Sequence, residues 1–342
     1  MDIQRDVSLK KFITFRIGGA ADFFVCVAST EELKEALLYA KENKLNVFIL
    51  GGGSNIVFSD DGFKGLVIKI EIKGIVSRSA TESSVTLAVG AGEVFDDFVS
   101  FCVVNNLYGI ENLSAIPGTV GAAPIQNIAA YGVEVRDCIE WVDAVNIETC
   151  ETKRFTHTEC NFTYRDSFFK TKAGKEYCIT RVCFTVKKKA KPNLSYTDLR
   201  TYFGENKSPS LEEVREAVIH IRSKKFPDLN TVGTAGSFFK NPTLTVDEFR
   251  VLQVKFQKKF GKIPSYKAGI GFVKIPLGFI LEKLGWKGKR YTQLSTYKNH
   301  ALVIVNNKHA TQKQLEKFAC MIEEDVKEKT NITIEREVIF VA

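Results

Sequence analysis

The sequence lacks any apolar run that approaches the roughly 18 residues of a membrane span. Its first residues, MDIQRDVSLKKF, carry charges where a secretory signal peptide needs an apolar stretch. We find no internal repeat and no low-complexity tract, which argues against solenoid and disordered architectures. These absences predict a cytoplasmic globular protein.

Cysteine and histidine are present without the spacings that metal sites and redox motifs need. The eight cysteines form no C-x-x-C pair, and none stands at metal-ligand spacing from the four histidines. Most lie among apolar neighbours, which is typical of reduced core residues. We therefore predict no metal site and no disulfide framework for Cys26, Cys102, Cys138, Cys150, Cys160, Cys178, Cys183 and Cys320.

The charge balance is moderately basic. With 342 residues, 44% apolar and 26% charged, the chain is long enough for two or three domains with well-buried cores. A net charge of +8 favours anionic partners. The densest basic run, residues 187–192, is short and lacks interleaved aromatics, so it predicts a solvated loop and no nucleic-acid site. Anionic small molecules remain open.

A lone serine in TAGSFFKNP (234–242) suggests a hydrolase, but the nucleophile elbow is absent. Ala235 and Phe239 occupy the two places where G-x-S-x-G requires glycine. One interpretation is structural: Gly236 bends the chain at a strand start, Phe238 and Phe239 are buried, and Ser237 bonds a backbone group. The alternative is a chemical role for Ser237, which other parts of the chain must decide.

The first part of the chain alternates strands and helices. Ser29 and Glu32 form a capping box for a helix that carries Leu33, Leu37 and Ala40. A second helix is predicted over 93–106 from its apolar spacing. Predicted strands cover 23–28, 46–50, 65–70 and 85–92, and further β-rich segments reach Val186.

After residue 205 a new unit begins. Ser210 with Glu213 and Thr311 with Gln314 are predicted to cap two long helices. The apolar faces of these helices are Leu211, Val214, Val218 and Ile221, then Leu315, Phe318, Ala319 and Ile322. Predicted strands cover 301–306 and 332–341. The fold class is therefore α+β, in two large parts divided near residue 205.

Three glycine-rich loops lack the dinucleotide fingerprint G-x-G-x-x-G. They are Gly51-Gly52-Gly53-Ser54-Asn55, Gly90-Ala91-Gly92 and the charge-poor segment 109–132. The first precedes an extended segment, which disfavours a Rossmann nicotinamide domain. Each alone is typical of a β-turn, or of interdomain packing for the long one. Together they favour an extended cofactor with a diphosphate, since small residues let backbone N–H groups approach an anion.

Six motifs resemble, in order, the UDP-N-acetylenolpyruvoylglucosamine reductase family, over nearly the whole chain. They are GGGSN, VGAGE, ENLSAIPGTVGAAPIQNIAAYG, FTYRDSFFK, GSFFKNP and IEREV. The resemblance implies two vanillyl-alcohol-oxidase-type FAD-binding subdomains, 1–72 and 73–205, and a substrate-binding domain, 206–342. It also implies non-covalent FAD, NADPH as reductant, and reduction of UDP-N-acetylglucosamine enolpyruvate to UDP-N-acetylmuramate for peptidoglycan. NLSYTDL (193–199) resembles the loop of the tyrosine-loop-containing type, near 191–205.

The resemblance assigns roles to individual residues. Ser237 matches the proton donor, Arg165 the catalytic arginine, and Glu337 the third catalytic residue, with Phe238 and Phe239 expected to exclude water. We expect Glu337 to be protonated when it acts, because burial and the substrate carboxylate both disfavour its ionised form. Substrate-binding positions are Tyr164, Tyr196, Lys225, Lys240 and Asn241. Cofactor-binding positions are Gly51, Gly52, Gly53, Ser54, Asn55, Gly90, Gly92, Ser114, Pro117, Gly118, Thr119, Gly121, Ala122, Gln126, Asn127, Tyr131 and Gly132.

Structural alternatives stand beside several of these roles. Arg165 is equally suited to an ion pair with Asp166, Tyr196 to a buried or strand-edge position, and a surface strand glutamate describes Glu335 better than Glu337. Arg222 is attributed to the helix dipole. Ala129 stands where the family often has glycine, an exchange that is tolerated unless the backbone there needs a positive φ. Substrate contacts within 273–301 are not assigned.

Two other functions compete with the reductase. One is an FAD-dependent oxidase or dehydrogenase of the same fold, which GSFFKNP and the terminal glutamate disfavour. The other is a flavin or UDP-sugar binder without activity, which would need no proton donor such as Ser237. We expect a monomer that acts on small molecules and contacts neither nucleic acid nor membrane.

Overall fold

The computed structural model describes residues 1–204 and 208–342. The α-helices are α1 (Thr30–Glu42), α2 (Phe95–Val104), α3 (Thr197–Phe203), α4 (Leu211–Lys225), α5 (Val246–Phe260), α6 (Leu277–Lys283) and α7 (Gln312–Thr330). The strands are β1 (Gln4–Ser8), β2 (Ala20–Val27), β3 (Val47–Leu50), β4 (Ile56–Phe58), β5 (Phe63–Ile70), β6 (Ile75–Ala80), β7 (Ser84–Gly90), β8 (Ala129–Ala130), β9 (Val133–Glu134), β10 (Ile139–Asn146), β11 (Thr152–Thr156), β12 (Tyr177–Lys187), β13 (Gly233–Ser237), β14 (Thr243–Thr245), β15 (Tyr266–Lys267), β16 (Phe272–Lys274), β17 (Arg290–Tyr291), β18 (Leu294–Tyr297), β19 (His300–Asn306) and β20 (Ile339–Val341).

The chain divides into two compact units, and each unit is built from three separate segments of the sequence. Unit 1 consists of Met1–Val7, Ala21–Gly53 and Lys64–Arg222. Unit 2 consists of Ser8–Ala20, Ser54–Phe63 and Ser223–Ala342. The boundary predicted at 205/206 lies among residues 205–207, outside the described part of the chain. The predicted subdomain limits at 72/73 stay a prediction.

One sheet of unit 1 determines where the first glycine loop lies. Its strand order is β1-β2-β5-β3, with β3 parallel to β5. Helix α1 begins after Ser29, whose hydroxyl accepts a hydrogen bond from the backbone N–H of Glu32 at 3.0 Å, which confirms Ser29 as the cap. The Glu32 carboxylate accepts from the N–H of Ala28 at 2.6 Å, so the reciprocal half of the predicted capping box is shifted by one residue. Leu33, Leu37 and Ala40 are buried on this helix as predicted. Because β3 ends at Leu50, the glycines that follow leave the sheet at the carboxyl end of this strand.

A second, five-stranded sheet of unit 1 has the order β11-β10-β12-β7-β6 and is antiparallel. Strand β7 ends on Gly90, so the second glycine loop follows it directly. Helix α2 is shorter than the predicted 93–106. It starts after Val94, which is extended, and it ends at Val104; Asn105 caps it, and Asn106 then enters the left-handed region at φ 55°.

Unit 2 is built on the antiparallel sheet β13-β19-β18-β17. The predicted strand 301–306 is observed as β19. Helix α7 has the predicted cap, with the backbone N–H of Gln314 donating to the Thr311 hydroxyl at 3.1 Å. Its predicted apolar face, Leu315, Phe318, Ala319 and Ile322, is buried. The cap of α4 is also confirmed, since Glu213 N–H donates to the Ser210 hydroxyl at 3.2 Å.

The continuous strand predicted over 332–341 is wrong. Only β20 (Ile339–Val341) is a strand, and it pairs in parallel with β4. Before it, Arg336 forms an isolated antiparallel bridge with Phe239. The alternation of buried Ile332 and Ile334 with exposed neighbours persists, so the pattern reported burial correctly. It did not report that the backbone changes its pairing partner within the segment.

The cysteines are all free, and five of them are buried. Burial raises the pKa of Cys138, Cys160, Cys178 and Cys183 to about 12, as suits unreactive core thiols. Over residues 1–204 and 208–342, no helix is long and apolar enough to cross a membrane.

Candidate active site

The three glycine loops meet within unit 1. A Cβ atom added at Gly52 would lie 2.6 Å from the Cα of Gly118, and one added at Gly121 would lie 2.6 Å from the Cβ of Ala91. Contacts this short leave no room for a side chain, so Gly52 packs directly on the backbone of Gly118 and Gly121 packs directly on Ala91. The loops that follow β3 and β7 therefore both touch segment 109–132.

A buried hydroxyl lies at the same place. The Oγ1 atom of Thr119 is inaccessible to solvent and has no hydrogen-bond partner among the described residues. A Cβ added at Gly51 would lie 2.7 Å from this oxygen. A buried polar atom without a partner indicates a ligand or an ordered water in the working protein. Three converging glycine segments and this hydroxyl fit the phosphate-bearing part of an extended cofactor.

Tyr131 ends the long loop in a strained conformation. Its φ is 48°, in the left-handed region that residues other than glycine rarely adopt. Burial raises the pKa of Tyr131 to about 12, although a hydrogen bond from Arg222 opposes the shift. The Arg222 Nε also donates to the carbonyl of Ala115 at 3.2 Å, and Ala115 itself has φ 58°. Strain of this kind, about 1–3 kcal/mol per residue, concentrates at functional sites.

Arg165 also has a strained, left-handed backbone conformation. Its φ is 54°, and its guanidinium donates to the Ala129 carbonyl at 3.1 Å. The Nζ of Lys170 donates to the carbonyl of Arg165 at 3.1 Å and fixes the backbone. The carboxylate of Asp166 accepts from the N–H of Ser167 at 3.0 Å. Ala129 has no positive φ, so the methyl group that replaces the family's glycine causes no backbone strain.

Tyr196 lies beside Tyr131. The two rings meet edge to face, with 5.3 Å between centroids. Tyr196 is 41% exposed and precedes helix α3, so it is neither a buried nor a strand-edge tyrosine. Tyr164, next to Arg165 in the chain, is half-buried.

Unit 2 brings Ser237 and Glu337 onto adjacent backbone segments. The N–H of Glu337 donates to the carbonyl of Phe238 at 2.8 Å, one residue beyond Ser237. The N–H of Lys240 donates to the carbonyl of Glu335 at 2.9 Å and continues the pairing. The two motifs GSFFKNP and IEREV, almost 100 positions apart, are thereby joined.

Ser237 is half-buried at the end of β13, where it pairs with Val303. The preceding Gly236 has φ 73°, a bend that favours glycine. Phe238 and Phe239 are 0% and 1% exposed and belong to the core of unit 2. The bend and the buried rings of the structural interpretation are thus observed, but Ser237 ends a strand and does not begin one.

Asn55 has a role that the sequence did not indicate. Its side-chain Nδ2 donates to the carbonyl of Glu337 at 3.0 Å, and its own carbonyl accepts from Ile339 N–H at 3.0 Å. Asn55 and its half-buried neighbour Ser54 belong to unit 2, whereas Gly51, Gly52 and Gly53 belong to unit 1. The motif GGGSN is therefore divided between the two units.

The predicted substrate residues of unit 2 already have local partners. Lys240 Nζ lies 2.9 Å from a carboxylate oxygen of Glu335, whose side chain is 72% exposed. Asn241 Oδ1 accepts from Leu277 N–H at 2.9 Å and so fixes the start of α6. Lys225 is half-buried at the end of α4.

Several predicted cofactor residues use their side chains within the loop. The Ser114 hydroxyl donates to the Glu111 carbonyl at 2.6 Å. The Asn127 amide donates to Glu134 at 2.7 Å and to the Thr163 carbonyl at 2.9 Å. These two side chains shape the loop. Five further positions of the loop can offer only backbone polar groups: Pro117, Gly118, Gly121, Ala122 and Gly132. Gln126 has a side-chain amide as well.

Three residues near these sites were missed or underrated. Arg222 was attributed to the helix dipole, yet burial lowers the pKa of its guanidinium, and it bonds Tyr131 and Ala115. Asn112, within the charge-poor loop, is 0% exposed and bridges two carbonyls. His300 stacks on Phe226 with 5.6 Å between centroids. Only Asn112 had a signal, as an amide at the start of the charge-poor loop.

Comparison with known proteins identifies the family. A family model for an FAD binding domain matches residues 21–156, and one for the C-terminal domain of UDP-N-acetylenolpyruvoylglucosamine reductase matches residues 227–341. The reductase of that name from Flavobacterium johnsoniae is 42% identical over 342 residues, covering 99% of each chain. The one from Porphyromonas gingivalis strain ATCC 33277 is 39% identical over 345 residues, covering 100% of both. The chain belongs to the UDP-N-acetylenolpyruvoylglucosamine reductase family.

A solved structure supports the fold of this family member. The reductase from Thermus caldophilus aligns over 100% of both chains with a TM-score of 0.68 at 22% identity. The predicted α+β class, with a vanillyl-alcohol-oxidase-type FAD-binding part and a C-terminal α+β part, is confirmed. All three glycine loops fall within the FAD-binding match, and Ser237 and Glu337 fall within the reductase match. Arg165 and Tyr196 lie between the two matched ranges.

Proposed function

We propose that Ser237, Arg165 and Glu337 carry out the reduction of UDP-N-acetylglucosamine enolpyruvate to UDP-N-acetylmuramate, with FAD as cofactor and NADPH as reductant. The reaction class, an FAD-dependent reduction in peptidoglycan synthesis, follows from family membership at 42% identity over the full chain. The observation that supports these residues most directly is the backbone bond from Glu337 N–H to the Phe238 carbonyl, next to Ser237.

The fit of the cofactor rests on the glycine loops of unit 1. Gly52 packs on the backbone of Gly118, Gly51 lies against the Thr119 hydroxyl, and a phosphate oxygen is a suitable partner for that buried hydroxyl. When bound, FAD supplies the hydride that reaches the terminal carbon of the enolpyruvyl double bond. We propose non-covalent binding through the positions named in the sequence analysis.

Ser237 is the proposed proton donor. After hydride arrives, charge develops on the neighbouring carbon, and a proton must be delivered there from within hydrogen-bond reach. The backbone of Ser237 is held by β13 on one side and by the buried Phe238 on the other. Because both phenylalanine rings lie in the core, we assign them the fixing of this backbone and no longer the exclusion of water.

Arg165 is the proposed partner of the substrate carboxylate. A guanidinium presents five N–H donors in a planar fork that matches a carboxylate. The bond to the Ala129 carbonyl and the fixed backbone orient that fork in advance. Preorganised donors of this kind stabilise charge as it develops.

Glu337 is the proposed third catalytic group. Its backbone is fixed at the N–H by Phe238 and at the carbonyl by Asn55, which sets the direction of its half-buried side chain. We propose that it acts in its protonated form, since a second negative charge beside the substrate carboxylate would be unfavourable.

The nucleotide sugar is proposed to contact Tyr164, Tyr196, Lys225, Lys240 and Asn241. Two of these have the cationic charge that a diphosphate needs. Tyr196 has 41% of its surface available for contact. We further propose that the enzyme acts as a monomer in the cytoplasm, on small molecules and not on nucleic acid. Sedimentation of the purified protein tests the first of these.

An anaerobic flavin experiment tests the function. The purified protein is reduced with NADPH, UDP-N-acetylglucosamine enolpyruvate is added, and recovery of the oxidised flavin absorbance is followed. We expect rapid recovery in the wild type and recovery at least 100-fold slower in Ser237→Ala, an order of magnitude typical for loss of a general acid. Reduction by NADPH should be unchanged in that variant.

Ser295→Ala is the matched control, because Ser295 lies in the same sheet and its hydroxyl accepts from Asn307 at 3.1 Å. It should recover at the wild-type rate. Flavin recovery with oxygen alone, and none with the substrate, would favour another FAD-dependent oxidase or dehydrogenase. A purified protein without flavin absorbance would favour a non-catalytic binder.

A further inference from the structure

An aspartate at the start of helix α2 holds the backbone of Ala115 in the long glycine loop. The N–H of Ala115 donates to Oδ1 of Asp96 at 2.5 Å. The Nη1 and Nη2 atoms of Arg215, on α4, donate to the two oxygens of the same carboxylate at 2.6 and 2.9 Å. The carbonyl of Ala115 accepts from Arg222 Nε at 3.2 Å. Both polar groups of the Ala115 backbone are therefore bonded to side chains, and all four residues belong to unit 1.

Ala115 depends on such bonds because its backbone conformation is unfavourable. Its φ of 58° lies in the left-handed region. A residue with a Cβ enters that region at a cost, whereas glycine enters it freely. Without its partners, the backbone at this position would favour another conformation and would send the following residues in another direction.

The residues that follow Ala115 pack against the first glycine loop. Gly118 lies against Gly52, and the buried Thr119 hydroxyl lies against Gly51. The start of α2 also contacts the far end of this segment, since Phe95 N–H donates to the Gly118 carbonyl at 3.0 Å. Residues 115–119 are thus held to α2 at both ends, by Asp96 at one and by Phe95 at the other.

The ion pair that orients Asp96 is largely shielded from solvent. The side chains of Asp96 and Arg215 are 29% and 16% exposed. Burial alone would raise the pKa of Asp96, but the hydrogen bonds from Arg215 and from the Ala115 N–H lower it below its ordinary value. Asp96 is therefore a carboxylate at neutral pH. Hydrogen bonds to an ionised acceptor are roughly twice as strong as those between neutral groups.

We propose that Asp96 and Arg215 are positioning residues for the FAD-binding loop. Asp96, oriented by Arg215, keeps Ala115 in the left-handed conformation, so that residues 115–119 have the shape that the cofactor requires. The proposal rests on the proposed function, because it takes Pro117, Gly118 and Thr119 as cofactor positions. If only a fraction of the molecules has a competent loop, the apparent dissociation constant rises in inverse proportion to that fraction.

The test measures the FAD dissociation constant of the loaded enzyme, from the flavin fluorescence released on dilution. We expect a rise of about tenfold in Asp96→Ala, the effect of losing a charge-assisted hydrogen bond. Arg215→Met should give a smaller rise, about threefold, because Asp96 still accepts from Ala115. Asp143→Ala is the matched control, since the Asp143 carboxylate also pairs with an arginine, Arg154, at 2.7 and 2.9 Å in unit 1. It should bind FAD as the wild type does.

Ala115→Gly separates positioning from general destabilisation. Glycine adopts the left-handed conformation without help, so Asp96→Ala combined with Ala115→Gly should regain about fivefold of the lost affinity. A merely structural ion pair would not be rescued in this way. Wild-type affinity in Asp96→Ala, or a loss that Ala115→Gly does not reduce, would overturn the proposal. If Asp96→Ala fails to fold, Arg215→Met with and without Ala115→Gly decides the question.

Amide hydrogen exchange distinguishes failure of this proposal from failure of the proposed function. The Ala115 N–H loses its acceptor in Asp96→Ala, so peptides that cover 113–119 should exchange about tenfold faster there. The same peptides should exchange at the wild-type rate in Asp143→Ala. Unchanged exchange in Asp96→Ala would contradict the role of the aspartate. If the wild type binds no FAD, the proposed function fails, and the exchange rates still decide whether Asp96 holds the loop.

Discussion

The side-chain amide of Asn55 donates to the backbone carbonyl of Glu337 at 3.0 Å. The same residue accepts from Ile339 N–H through its own carbonyl, so Asn55 holds the chain on both sides of Val338. Strand β20 alone would fix only the residues after Glu337. Through its bond to the Glu337 carbonyl, Asn55 also fixes the backbone of the proposed catalytic residue.

Asn55→Ala should therefore impair turnover more than folding. Loss of one hydrogen bond is expected to lower the free energy of unfolding by about 1 kcal/mol. Displacement of Glu337 should slow substrate-driven flavin recovery about tenfold or more, since small misplacements of catalytic groups are costly. Urea unfolding and anaerobic recovery measure the two effects. Asn43→Ala loses a comparable bond at the C-terminal end of α1 and should affect stability only. Equal recovery rates in both variants would contradict the assignment.

Gly52→Ala should weaken FAD binding. The added methyl group would lie 2.6 Å from the Cα of Gly118 and would push the first and third glycine loops apart. Overpacking of this size costs about 1–3 kcal/mol, equivalent to a rise of roughly 5- to 150-fold in the FAD dissociation constant. Flavin fluorescence on dilution measures it. Gly278→Ala, whose methyl group would meet Leu302 at an ordinary 3.7 Å, should retain FAD. Retention by Gly52→Ala as well would argue against a tight cradle.

His300 should make stability depend on pH below neutrality. Burial, helped by the charges of Lys225 and Lys287, lowers the pKa of His300 to about 4. The unfolded chain, with a histidine pKa near 6.5, therefore binds one more proton between these values, and stability falls as pH falls from about 6.5 to 4. His300→Gln should remove this slope, on the order of 3 kcal/mol. Unfolding at several pH values measures it, with the exposed His309→Gln as control; an unchanged slope in His300→Gln would refute the assignment.

Glu335 should compete with the substrate for Lys240. The pair is joined at 2.9 Å, and the largely exposed carboxylate contributes little to stability, at most about 1 kcal/mol. Glu335→Gln is expected to lower KM for the nucleotide sugar about two- to threefold, because removing an exposed ion pair releases a fraction of a kcal/mol. Lys240→Met should raise KM. The exposed Glu328→Gln on α7 serves as control. A higher KM in Glu335→Gln would show instead that Glu335 orients Lys240 for binding.

Local signals predicted the helices well. The caps at Ser29 and Thr311 depend on hydrogen bonds that span three residues, so the sequence contains both partners. The class α+β follows from such elements. The family resemblance, which needs only short motifs in order, supplied the reaction.

Contacts between residues far apart in the sequence could not be predicted from local patterns. The change of partner before Ile339, the bond from Asn55 to Glu337 and the burial of Arg222 each depend on residues far away in the sequence. The pattern in 332–341 reported which side chains are buried, since burial alternates whether or not the backbone forms a ladder. The roles of individual site residues stay predictions for the experiments above.

The parallel pairing of β20 with β4 has a consequence during synthesis on the ribosome. Strand β4 emerges roughly 280 residues before its partner, a separation that delays pairing by roughly 15–60 s at usual elongation rates. Until then Val57 and Phe58, both fully buried in the finished protein, lack this neighbour. Unit 1 has all its segments once Arg222 is made, so it is free to fold first. The nascent chain is expected to need protection at residues 54–63 for most of that interval.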